Sequence, residues 1–164
     1  FGDAVKQSEK FIGDDSFIVH GGDVAILSGK SKNSSIMNLI KIGKSSNASA
    51  VLLFRKVTDP KRHGVPTLKR ISKGQYEVQK VIEKPLNPKS NFGLLPIYYF
   101  KSNIFKKLKQ IKPGKGNEFQ LTDAIQKLII DNEKVLAFPI QSNESVIDVG
   151  TISSYKNALK TTFS

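Results

Sequence analysis

A chain of 164 residues with 38% hydrophobic content can build one domain with a real core but not two independent ones; no apolar run nears the roughly eighteen residues of a membrane span. The opening FGDAVKQSEK has no signal-peptide layout, so a soluble, cytoplasmic protein is expected. Cysteine is absent and His20 and His63 are the only histidines, which excludes disulfides and thiolate metal sites and disfavours a histidine-rich zinc site. With 26 Lys+Arg against 14 Asp+Glu, net +12, the chain favours anionic partners. Its lysines sit singly or in pairs (Lys30 and Lys32, Lys106 and Lys107), which fits a solvated surface better than a nucleic-acid stripe.

Asp3 is placed to cap a helix that carries Ala4, Val5, Ser8, Phe11 and Ile12 on one face and stops at Gly13. Residues 16–23, SFIVHGGD, then read as a buried central strand: Phe17, Ile18 and Val19 run into a double glycine that delivers Asp23 to the strand's carboxyl end. In open α/β sheets ligands bind at such ends, and an aspartate there can hold Mg2+ against a phosphate. The plainer reading is an ordinary Gly-Gly-Asp turn. Residues 34–44 place Ile36, Met37, Leu39 and Ile40 at helical spacing and end at Gly43. Residues 50–57 (AVLLFRKV) read as a second buried strand, and 58–66 (TDPKRHGVP) as a turn-rich connection.

Residues 75–83 (QYEVQKVIE) alternate as a strand and run into Lys84-Pro85, so that Lys84 projects where the chain must leave the sheet. A further apolar strand spans 93–100 (GLLPIYYF), with Pro96 marking a bulge, an edge or a bend. Ser102 caps a helix carrying Ile104, Phe105, Leu108 and Ile111, and a helix over 121–132 carries the stripe Leu121, Ala124, Ile125, Leu128 and Ile129. Short strands over 134–140 and 145–149 precede a last helix over 151–160. This alternation predicts an α/β fold, Rossmann-like, in which a mixed, mostly parallel sheet is flanked by helices within a single domain spanning 1–164.

Three strand ends now invite one interpretation. Asp23, Lys84 and the Asp148 of VIDVGT are the equipment of phosphoryl chemistry: two carboxylates to hold Mg2+ and a lysine to draw in a second anionic group. The competing reading makes the acids two unrelated turn residues and Lys84 a surface lysine.

The order GDAV, IVHGGD, DPKRHGV, VIEKP, SNFGLLPIYYF, EFQLTDAI and IDVGT resembles the sugar-nucleotide pyrophosphorylases, above all the glucose-1-phosphate uridylyl- and thymidylyltransferases, over nearly the whole chain. The resemblance implies a nucleotidyltransferase that makes an NDP-sugar from an NTP and a sugar 1-phosphate. Asp23 matches the family's strand-end metal aspartate and Asp148 the second metal ligand, in its DxGT motif. Lys84 matches the lysine that contacts the sugar phosphate, and Glu83 the acid that holds sugar hydroxyls. Gly64 corresponds to a sugar-site glycine, Asn91 to the sugar-side SN position and Gly2 to a glycine near the base. The implied reaction is in-line and Mg-dependent, resting on positioning and charge neutralisation. A homo-oligomer is compatible with it; membrane and nucleic-acid partners are not expected.

Two departures stand out. Pro96 occupies a position where most members have glycine, and the family's opening Gly-rich loop of the type GGxGTRL, with its PK motif, has no counterpart in these residues. A parallel sheet without its first strands would expose buried edges, so this stretch is expected to belong to a longer or separately completed protein. The alternative function is a non-catalytic regulatory or scaffolding subunit on the same fold.

Overall fold

The computed structural model describes residues 1–28 and 34–162; Lys30 and Lys32 lie outside the described residues. In chain order the helices are α1 (Gly2–Gln7), α2 (Glu9–Ile12), α3 (Ser35–Ser45), α4 (Ile104–Leu108), α5 (Leu121–Ile130) and α6 (Ile152–Thr162). The strands are β1 (Phe17–His20), β2 (Val24–Ser28), β3 (Ala50–Lys56), β4 (Gly64–Ser72), β5 (Gln75–Glu83), β6 (Phe92–Phe100), β7 (Val135–Pro139) and β8 (Glu144–Asp148). Six strands form one sheet in the order β1-β6-β3-β7-β5-β4, and β2 pairs with β8 as a separate ribbon.

The mixed sheet flanked by helices is as the sequence predicts, but its balance differs. Among the described residues only β3 and β7 of the six-stranded sheet pair in parallel; β1 with β6, β6 with β3, β7 with β5 and β5 with β4 are all antiparallel. A buried strand reads as a continuous apolar run whichever way its neighbour points, so the pattern carries burial and not direction. The sheet is buried on both faces. Alternate residues Ala50, Leu52 and Phe54 of β3 join a core with α4 and α5, while Val51 and Leu53 join a second core with α3 and the ribbon. On that second face Gly43 of α3 lies so close to the sheet that a Cβ there would sit 2.5 Å from the Tyr99 ring.

Local differences have local causes. The first helix is broken at Ser8, whose hydroxyl donates to the Val5 carbonyl at 2.7 Å, and this turns Phe11 outward to 91% exposure. Phe1, not Asp3, occupies the N-cap of α1, and Asn103, not Ser102, that of α4; neither makes a side-chain capping bond. Strand β1 is one of the two edge strands of the described sheet, half-buried and not central. Pro96 marks a bulge: β6 is interior, and its register with β3 shifts between the Leu52–Tyr98 and Phe54–Leu94 pairs. Strands β2 and β4 are additional to the sequence reading. No helix among the described residues is long and apolar enough to cross a membrane.

Candidate active site

The carboxyl end of β1 runs through Gly21 and Gly22 to Asp23 before the chain turns into β2. The Gly21 N–H donates to the Pro96 carbonyl at 2.7 Å, and a Cβ on Gly21 would meet the Pro96 ring at 3.0 Å. The β6 bulge therefore forms the floor on which the Asp23 turn rests. In the ribbon, Val24 lies opposite Asp148, and the ladder extends one step further because the Val149 N–H donates to the Asp23 carbonyl at 2.8 Å. The two acids thus sit side by side at one end of the ribbon. A Cβ on Gly150 would fall 3.0 Å from Asp23 Oδ2 and 3.3 Å from Asp148 Oδ1, so both carboxylates converge on a space that only glycine leaves open.

Both acids face a cavity of about 430 Å³, whose wall also includes Gly64, Glu83, Lys84 and Pro96. Glu83 ends β5 directly across from Gly64 at the start of β4. Its Oε2 accepts from the Thr122 hydroxyl at 2.9 Å, and a Cβ on Gly64 would lie 2.8 Å from Thr122 Cγ2 and 3.3 Å from that same oxygen. Any larger residue would push into the place where Glu83 is held. Lys84 follows with φ 41°, a left-handed conformation that costs an L-residue about 1–2 kcal/mol. The other positive-φ non-glycine residues described are asparagines, which tolerate the region far better. Strain of this kind persists where surrounding structure holds it: the Lys84 N–H donates to the His63 carbonyl at 3.0 Å. The Lys84 ammonium lies 3.7 Å from Glu83, a partly exposed pair of small energetic weight.

Five of the residues read from sequence, Asp23, Gly64, Glu83, Lys84 and Asp148, are brought to this one cavity. Gly2 and Asn91 are not among its lining residues. Gly2 is buried where its N–H donates to the Phe119 carbonyl at 2.8 Å, leaving its neighbour Phe1 on the wall, with its ring 6.3 Å from that of Tyr98. Asn91 is exposed, and its carbonyl accepts from the Val57 N–H at 2.8 Å.

Sequence reasoning missed a group of bases on the same wall: Arg55, Arg62 and His63. The one signal for Arg55 was a charge near the end of an otherwise apolar strand. The turn Pro60–Arg62, capped by Asp59 accepting from the Lys61 N–H at 3.2 Å, presents the other two. Burial, reinforced by the charges of Arg55 and Arg62, lowers the pKa of His63 against the opposing pull of Asp148 and Asp59. Burial, and behind it the charge of Glu83, raises that of the Tyr98 hydroxyl.

Comparison with known proteins gives the family of the chain. Residues 2–163 match the sequence model of the nucleotidyl transferase family. The chain belongs to that family. A Methanocaldococcus jannaschii nucleotidyl transferase, provisionally named a UTP–glucose-1-phosphate uridylyltransferase, is 32% identical over 152 residues, covering 91% of this chain and 51% of the relative. The glucose-1-phosphate thymidylyltransferase of Streptomyces antibioticus is 30% identical over 139 residues, covering 84% of this chain and 36% of its own. Among solved structures, a UDP-glucose pyrophosphorylase complexed with UDP-glucose superposes with a TM-score of 0.90 at 24% identity, over 99% of this chain and 62% of that one. The UTP-bound UGPase from Acinetobacter baumannii gives a TM-score of 0.81 at 27% identity, over 98% of this chain and 55% of that one. The chain thus spans about half or less of the length of these curated nucleotidyl transferases.

Proposed function

We propose that the protein containing this chain transfers a nucleotidyl group from an NTP, UTP or dTTP first among them, to a sugar 1-phosphate, with glucose 1-phosphate as the leading acceptor. A phosphate oxygen of the sugar 1-phosphate attacks the α-phosphorus of the NTP in line, one P–O bond forms as the bond to the β-phosphate oxygen breaks, and pyrophosphate leaves. The attacking oxygen is already anionic near neutral pH, so no general base is required. The protein's work is positioning and charge neutralisation.

The observation that carries this reading is the convergence of Asp23 and Asp148 on the space beside Gly150, in the cavity that Lys84 also lines. Two carboxylates with room in front of them suit Mg2+, which takes one or two protein carboxylates and completes its shell with water and substrate phosphates. When bound there, the ion supplies neutralisation of phosphate charge. Lys84 draws in the sugar phosphate as a point charge, and Glu83, oriented by Thr122, accepts from sugar hydroxyls. Gly64 keeps the wall between them low enough for a sugar ring to approach. The names of the relatives point to the same chemistry.

The test is pyrophosphate release by the complete gene product from UTP or dTTP and glucose 1-phosphate. Asp23→Asn and Asp148→Asn are each expected to abolish turnover while the melting temperature holds. Turnover at the wild-type rate in either variant would rule out the paired-carboxylate reading.

A further inference from the structure

Arg55, Arg62 and His63 form one corner of the cavity wall, and the proposed reaction has so far used none of them. The corner is built by the same ladder that delivers Lys84. Gly64 lies opposite Glu83, and one step further along the Lys84 N–H donates to the His63 carbonyl at 3.0 Å, so His63 faces Lys84 as cross-strand neighbours do. The imidazole is packed in place, because a Cβ on Gly93 would meet it at 3.0 Å. His63 feels the charge of Asp148 as well as those of Arg55 and Arg62, and the corner and the paired acids open on one space. Arg62, exposed at the rim, forms no ion pair among the described residues, where the pairs are Lys84 with Glu83, Lys107 with Asp131 and Lys109 with Glu9. Arg55, whose Nε is shielded from solvent, lends the corner charge.

We propose that Arg62 and His63 hold the 1-phosphate of the acceptor together with Lys84, as the second side of a clamp. This rests on the nucleotidyl transfer proposed above, in which Lys84 draws in that phosphate. Lys84 alone is a weak holder. Its ammonium already lies 3.7 Å from Glu83, and a phosphate monoester brings about 1.5 to 2 negative charges near neutral pH to a wall that carries Asp23 and Asp148. The ester has three non-bridging oxygens. With Lys84 on one and Arg62 and His63 on another, the third is left to attack the α-phosphorus, which is the orientation an in-line displacement needs. The same geometry separates these bases from the leaving phosphates of the NTP. Attacking and leaving oxygens lie on opposite sides of the α-phosphorus, and groups beside Lys84 stand on the attacking side. Arginine supplies the charge-assisted bonds that a phosphate takes, and a neutral imidazole supplies one N–H.

The experiment measures KM for each substrate of the complete gene product in both directions: glucose 1-phosphate with UTP or dTTP forward, and pyrophosphate with the matching NDP-glucose in reverse. Arg62→Leu is expected to raise KM for glucose 1-phosphate about tenfold, as for a truncated charge-assisted bond, while KM for the NTP and for pyrophosphate stays within about twofold. Arg62→Lys should recover part of the loss. His63→Phe, which keeps a ring on Gly93 and removes the N–H, should raise the same KM by a smaller factor. A rise in KM for the NTP and pyrophosphate with that for glucose 1-phosphate unchanged overturns the inference, because the bases then serve the leaving group. So does an Arg62→Leu variant that keeps every KM or loses kcat alone; both results leave the transfer reading standing. Absence of pyrophosphate release from the wild-type protein overturns the transfer reading, and this inference with it.

Discussion

Replacing Glu144 by glutamine tests how the ribbon is held. Glu144 is 8% exposed and opens β8. Its Oε1 accepts from the Ser35 N–H at 2.7 Å, and its Oε2 accepts from the Ser35 hydroxyl and from the Gln141 N–H at 3.1 Å. One buried carboxylate therefore ties the N-terminus of α3 to the turn that leads into the strand bearing Asp148. Glutamine keeps one acceptor oxygen and replaces the other by an NH2; the Ser35 hydroxyl can turn to accept from it, but a backbone N–H, of Gln141 or of Ser35, loses its acceptor. Losing a charged acceptor costs about 1.5–3 kcal/mol, and losing the negative charge at the N-terminus of an eleven-residue helix adds about 0.3–1 kcal/mol. The expected loss is about 3 kcal/mol, a sizeable part of the roughly 5–15 kcal/mol that holds a domain together. Urea unfolding of the complete protein at pH 7, followed by far-ultraviolet circular dichroism, should show the midpoint falling by about 1.5 M at unchanged slope for a typical m-value near 2 kcal/mol/M. A loss below about 0.5 kcal/mol would mean that the donors find water as readily as the carboxylate, and the argument from buried pairing would fail.

Lys84→Gly should separate stability from function. Releasing the positive φ recovers about 1–2 kcal/mol, from which the greater freedom of glycine in the unfolded chain takes back about 0.5–1 kcal/mol. The variant is thus expected to unfold at slightly higher urea than Lys84→Ala while both lose turnover; the reverse order of stability would show that the strain is absent. His63 gives a pH dependence of definite sign. Its pKa is lowered from 6.5 by burial and by Arg55 and Arg62, so the unfolded chain takes up this proton first. The stability contributed by the neutral ring is complete above about pH 6.5 and is lost as pH falls through the lower folded value. An NMR titration should place the His63 midpoint below 6.5, and a midpoint at or above it would contradict the electrostatic picture of the corner.

Much of this fold was legible because its strands are buried on both sides. In β3, β6 and β7 nearly every residue is needed by one core or the other, and such runs announce themselves. β5 was found by alternation and α5 by its stripe, of which Leu121, Ala124, Ile125 and Leu128 are buried. β4 was invisible for the complementary reason. It is an edge strand, its outer residues are largely exposed and Pro66 interrupts it, so no apolar period survives to be read. β2 was not read although Val24, Ala25, Ile26 and Leu27 form an apolar run. Asp23, Lys84 and Asp148 could be picked out because each follows a strand and a chemistry exists that needs all three. Arg55 and Arg62 could not: in a chain with 26 Lys+Arg an arginine carries no information until the fold shows which of them line the cavity.

The placement of the two acids on one ribbon has a mechanical consequence. Their mutual spacing is fixed by the pairing of Val24 with Asp148 and by the Val149–Asp23 bond, whereas their distance to Lys84 depends on how that ribbon sits against the six-stranded sheet. A rocking of the ribbon would therefore change the width of the cleft and leave the carboxylate pair intact, like callipers locked at one setting and moved as a unit. The spacing of the two acids and the width of the cleft are thereby under separate control, one set by hydrogen bonds within the ladder of the ribbon and the other by packing between two sheets. A substitution at Leu95, which shares a core and a cavity wall with Val24 and Val146 of the ribbon, can tune the second without touching the first.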